Sequence, residues 1–229
     1  MTQCGVDLRK IGTGASSMEE VANRTVRYLY DRLGGPSDTP ACALVRMFIT
    51  QPFEALDVDD QAFAAGMLGG APVGQSMKCL TLLATTGDEP AWNARRTSAG
   101  HRALPLPSAE AISRSPMIAQ LIRQLGVEVD TLLSPESRLM LDSDQHTFNV
   151  FYVADAVGSP VIPAQREFVI PHGIRSVVGF GGLLPSGQLF ATILFAKMQI
   201  PRDAADLFRT LALNVKVALL PLASRKIFA

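Results

Sequence analysis

The stretch GIRSVVGFGGLLPSGQLFATILFAK, Gly173 to Lys197, leaves few folds open. Two apolar runs, Ser176–Leu183 and Leu189–Ala196, flank Pro185-Ser186-Gly187, where the glycine can supply the positive φ of a tight turn. Strands joined that closely are antiparallel. A helix follows at once, with Pro201 in its first turn and Asp203 and Asp206 at its positive end. It carries two apolar stripes. Ala204, Phe208, Leu211, Val215 and Ala218 form one, suited to covering a sheet. Leu213, Val217 and Leu220 form the other, on roughly the opposite side, and that stripe needs a partner.

Upstream, Ser16 and Ser17 stand three residues before Glu19 and Glu20, a doubled capping-box signal. The stripe Met18, Val21, Ala22, Val26, Leu29, Leu33 then predicts a helix that stops at Gly34-Gly35-Pro36. Strands are predicted at Ala41–Thr50, Met77–Thr86, Val127–Leu133 and Thr147–Asp155. Short helices are predicted after Asp57 and after Ser115-Pro116. The order predicts an α+β fold with a mainly antiparallel central sheet of about six strands, helices packed on it and a long C-terminal helix. One domain spans 17–220, with insertions near 51–76 and 87–126, between a lead-in over 1–16 and a tail over 221–229.

Lys and Arg together number 21, as do Asp and Glu, so charge gives no case for nucleic acid or an anionic membrane surface. No apolar run reaches the ~18 residues that span a bilayer. The N-terminus lacks a signal-peptide pattern. Three widely spaced cysteines argue against a disulfide framework and for a reducing cytoplasm.

The ending, a Gly-Ile-Arg entry to a strand, a small turn closing in Gly, "ATILF" and a helix reaching "VAL", resembles the C-terminal half of GAF domains, cytoplasmic sensor modules of bacterial signalling proteins. The match covers about the last quarter of the chain. The helix and strand near the start fit a GAF opening in order, while the middle departs from the minimal pattern. The resemblance implies a six-stranded antiparallel sheet with a pocket on one face. It also implies dimerisation through terminal helices and a downstream kinase or cyclase partner. It thus points to a small-molecule-sensing input domain, not an enzyme, with its ligand or cofactor unknown.

No GxSxG elbow is present, and GTGASS at Gly12–Ser17 has no following lysine, so neither a serine hydrolase nor a phosphate loop is supported. The segment Trp92–Arg102, WNARRTSAGHR, concentrates binding chemistry in a loop. Trp92 offers a stacking face, Arg95 a bidentate guanidinium and His101 an imidazole, with Cys79 on a nearby strand. Arg96 and Arg102 read as solvated. Cys79 with Cys42 leaves open a thiol redox enzyme of the free methionine sulfoxide reductase kind. His146 and His172 leave open an axial role in a haem or metal sensor, although no ligand spacing supports it.

Overall fold

The computed structural model describes residues 1–34, 40–98, 100–133, 149–223 and 227–228. The expected ending forms as read: β5 (Ser176–Leu183) and β6 (Leu189–Ala196) pair antiparallel from Ser176 opposite Ala196 to Leu183 opposite Leu189. Gly187 closes their turn at φ 78°. Four more strands, β1 (Cys42–Pro52), β2 (Lys78–Gly87), β3 (Ala103–Leu106) and β4 (Val150–Val153), complete one sheet in the order β3-β2-β1-β6-β5-β4. Every pairing is antiparallel.

Alternation along the strands divides the interior into two layers. Val45, Met47 and Ile49 of β1, with Phe180, Phe190 and Leu194, face helix α2 (Met18–Arg32) and the C-terminal helices. Leu44 and Phe48 of β1, with Leu82, Phe151, Ile193 and Phe195, face the opposite way. That second face is covered by α4 (Ala109–Ser113), α5 (Pro116–Gln124), α6 (Val129–Leu133) and the segment 156–174. A small third cluster, Phe53, Leu56, Ala64, Cys79 and Ala103, sits beneath α3 (Val58–Met67).

Helix α2 begins as its sequence dictates. The Ser17 hydroxyl accepts from the Glu20 N–H, and the Glu20 carboxylate returns to the Ser16 N–H at 2.8 Å. The C-terminal run comes in two pieces, α7 (Arg202–Asp206) and α8 (Arg209–Leu219). Phe208, Leu211, Val215 and Ala218 are buried against the sheet, while Leu213 and Leu220 are 45% and 39% exposed and Val217 is half-buried.

Three segments differ from expectation. Val127–Leu133 is no strand: Gly126 turns the chain at φ 73°, and the Leu132 N–H donates to the Glu128 carbonyl, opening α6. The missed strand is β3, four residues long with Pro105 in it, which an edge position tolerates because one side needs no ladder donor. The lead-in contains a helix, α1 (Thr2–Lys10), packed on α8, where the Arg9 side chain donates to Asn214 Oδ1. Of the expected strand Thr147–Asp155, residues 147–148 lie outside the described residues and β4 occupies the centre.

Candidate functional site

The second face of the sheet holds a cavity of about 500 Å³. Its floor is sheet: Leu44, Arg46 and Phe48 from β1, Leu80 from β2, and Ile193 and Phe195 from β6. Its far wall is α5, through Met117, Ile118 and Leu121, together with Pro160–Ala164. Trp92 and His101 close it from the loop between β2 and β3. Most of this lining is apolar, the usual composition of a small-molecule pocket.

Two hydrogen-bonded bolts hold the walls. The Asn93 side chain donates to the Gly87 and Glu89 carbonyls and accepts from Thr86 Oγ1 and the Gly87 N–H. Trp92 can then lie against Gly87, where a Cβ would stand 2.8 Å from the indole and 2.7 Å from the Ala43 carbonyl. On the other wall, Gln165 Nε2 donates to the carbonyls of Ala156 and Ile162, both at 2.9 Å, while its Oε1 accepts from the Gly158 N–H. Gln165→Ala is therefore expected to cost about 0.5–1.5 kcal/mol, since part-buried backbone groups lose their partner and water replaces it only in part. Limited proteolysis should find cleavage opened within 156–165. An unchanged digestion pattern would contradict this bolt.

Backbone strain gathers at the same cavity. Among the described residues, the non-glycine positions with positive φ are His101 at 58° and Ala164 at 56°, and both line it. Ala164 leads into a π-helical turn, Gln165–Val169, with the Val169 N–H bonded to the Ala164 carbonyl and the Ile170 N–H to the Gln165 carbonyl. Such conformations are costly, and they gather where a ligand clamp or a switch requires them. The turn aims Phe168 into an aromatic group, 5.6 Å from Trp92 and 5.0 Å from Phe195.

Two of the sequence candidates, Trp92 and His101, meet at the cavity. His101 stands at its rim. Desolvation, and then the nearby Arg46 charge, push its imidazole below the ordinary histidine range. Arg95 turns the other way. It is buried against Asp60 at 2.5 Å and Asp57 at 2.9 Å, with Glu19 at 3.6 Å. Arg102, expected to be solvated, places Nη2 2.9 Å from the same Asp60, whereas Arg96 is exposed as expected.

Cys79 lies in the cluster under α3 and does not line the cavity. It also cannot meet Cys42. Cys79 pairs with Gln51, nine residues along β1 from Cys42, about 30 Å at ~3.3 Å per residue. That is far beyond disulfide reach. Burial pushes both thiols up to about 12. The thiol pair of the redox alternative is thus not formed. His172 stacks on Trp92 with ring centroids 4.6 Å apart, and is not among the cavity-lining residues. His146 lies outside the described residues. Among those described, no three His, Cys, Asp or Glu side chains gather as metal ligands would, and no helix is long and apolar enough to cross a membrane.

Arg46 was missed by sequence reasoning. A charge on every-other-residue register with Leu44 and Phe48, inside an otherwise apolar strand, was the signal available.

A six-stranded antiparallel sheet, with helices packed on it and a pocket on one face, is the architecture that the resemblance implied. The fold is GAF-like. No family model matches the sequence, and no curated protein matches it. Among solved structures the chain is similar to the phycocyanobilin-bound GAF domain from a cyanobacterial phytochrome. The two share 11% identity over 96% of this chain and 94% of that one, with a TM-score of 0.48. It is similar also to the phycoerythrobilin-bound GAF domain from a cyanobacterial phytochrome, at 11% identity over 97% and 95%, with a TM-score of 0.46.

Proposed function

We propose that this chain is a cytoplasmic small-molecule-sensing domain that works as a homodimer and passes its ligand state to an output partner, such as a kinase or cyclase. One observation carries the reading. Both described left-handed non-glycine residues and a π-helical turn converge on a single apolar cavity, a concentration of strain that packing alone does not call for.

The loop from Gly87 to Arg102 supplies a route outward. It presents Trp92 and His101 to the cavity and, on its other side, Arg95 to the chain termini. There the Phe228 ring lies 4.1 Å from the Arg95 guanidinium, and the Ile227 carbonyl accepts from the Glu19 N–H at the start of α2. A ligand that moves the loop would therefore bias the seating of the terminal segments, and with it the pairing of the Leu213, Val217 and Leu220 stripe. The exposure of Leu213 and Leu220 supports that seam.

Native mass spectrometry of freshly purified protein tests the reading. The expected result is a dimer carrying, or taking up from a metabolite extract, a mass that disappears on denaturation. Leu213→Glu with Val217→Glu should yield monomers in sedimentation. A protein that stays bare against every extract fraction would overturn the sensing reading. A double variant that remains dimeric would overturn the seam.

A further inference from the structure

The cavity contains a cation that has no counter-ion among the described residues. Arg46 lies in the middle of β1, 8% exposed, opposite Thr85 on one neighbouring strand and Ile193 on the other. Its Nη2 donates to Ser98 Oγ at 2.7 Å. Its Nε is buried with no hydrogen-bond partner, and no carboxylate lies within 4.0 Å of the guanidinium among the described residues. The contrast within this fold is sharp: Arg95, buried to a similar degree, has Asp60, Asp57 and Glu19 around it.

Burying a guanidinium without an anion is expensive, and a Met or Leu at position 46 would fill the same space at no such cost. Packing therefore does not account for the arginine. The rest of the lining has the same bias. Among the described residues, His101 and Arg114 are its other ionisable groups, and no Asp or Glu lines it. Arg114 is at the surface, ion-paired to Glu110, so Arg46 is the charge left for a ligand.

We infer that the cavity binds an amphipathic monoanion: a carboxylate, or an equivalent oxyanion, received by Arg46 with His101 beside it, on an apolar body that reaches toward Met117, Ile118 and Leu121. This rests on the sensing reading above and specifies its ligand. A guanidinium offers an oxyanion two donors in one plane, and the apolar wall opposite excludes the water that would otherwise compete. Neutral molecules of the same shape would bury Arg46 still unpaired, which makes the preference one of charge as much as of fit.

The probe pair that isolates the charge is 8-anilinonaphthalene-1-sulfonate and its neutral counterpart N-phenyl-1-naphthylamine. They share an apolar body and differ by the anionic group. The single tryptophan, Trp92, lines the cavity, so energy transfer from it reports a bound dye, and the Arg46 variants place the anionic dye within the cavity. The anionic dye is expected to bind at least about tenfold more tightly, because a charge-assisted hydrogen bond contributes about 1.5–3 kcal/mol and each 1.4 kcal/mol is tenfold. Arg46→Met should abolish that preference, let the neutral dye bind at least as tightly as before and raise the melting temperature of the free protein. Arg46→Lys should keep part of the preference. Equal binding of the two dyes, unchanged by Arg46→Met, would overturn the anion inference and leave the cavity reading standing. Failure of both dyes to quench Trp92 would overturn the cavity reading with it. If Arg46→Met and Arg46→Lys both fail to fold, Arg46 is a structural residue and the inference is overturned.

Discussion

Replacing Asp60 with alanine is expected to destabilise the fold by about 3–5 kcal/mol, the usual cost of removing one partner from a buried ion-paired group. Asp60 is fully buried in the first turn of α3. Its Oδ2 is 2.5 Å from Arg95 Nη1, and its Oδ1 is 2.9 Å from Arg102 Nη2. The Arg102 contact is Coulombic more than a well-aligned hydrogen bond, since Oδ1 has no partner at hydrogen-bond geometry. Removing the carboxylate leaves two guanidinia facing each other over a cavity, with the half-exposed Asp57 and the more distant Glu19 as the remaining anions near Arg95.

A loss of that size is a large part of the ~5–15 kcal/mol that holds a typical domain folded. Urea unfolding of Asp60→Ala should therefore show its midpoint strongly reduced or the protein insoluble. Asp60→Asn, which keeps the shape and one acceptor, should fall between. Combining Asp60→Ala with Arg95→Met and Arg102→Met should recover much of the loss, because an apolar replacement of a whole buried network is often close to neutral. A loss under about 1 kcal/mol for Asp60→Ala would mean that water reaches the network and screens it as it does surface pairs.

The network also shows what the sequence could and could not disclose. The two C-terminal strands were legible to the residue, because apolar runs of strand length bounded by a Pro-Ser-Gly turn admit one local solution. The start of α2 was legible for a similar reason: Ser17 and Glu20 interact across three residues, a distance the sequence displays. Trp92 and His101 were singled out because binding residues concentrate in loops with little helix or strand pattern, and both line the cavity. Arg95 stands in the same loop, and its partners Asp57 and Asp60 are thirty-five or more residues away. From sequence, a guanidinium awaiting a ligand and one already paired inside the fold look alike. Arg46 is the converse. It was hidden inside ACALVRMFIT, where strand propensity dominates the reading; alternation puts it on one face with Leu44 and Phe48, and only the structure shows that this face lines a cavity.

Phe180→Ala is expected to cost about 3–5 kcal/mol, as large-to-small changes of buried aromatics do. Phe180 is fully buried on β5, opposite Val150 on one side and Thr192 on the other, and points to the helix face of the sheet. Its ring stands 6.2 Å from that of Phe208, which seats the C-terminal helices, and such a pair adds about 0.5–1.5 kcal/mol to simple burial. The site cannot readily collapse around the vacated space. The residues before and after it are Gly179, which accommodates Phe151 at contact distance, and Gly181, where any Cβ would fall 2.1 Å from the Phe190 carbonyl. The backbone of β5 is thus pinned from the cavity side, and only α8 can move inward. In urea the variant should unfold at a lower midpoint with an unchanged slope, since the native and unfolded surfaces stay much the same. Because its ring points away from the cavity, the folded variant should still distinguish the anionic from the neutral dye. A cost below about 1.5 kcal/mol would show that α8 follows the truncated side chain. The contact between the sheet and α8 would then be pliable, not the fixed bearing that the proposed transmission of a ligand signal needs.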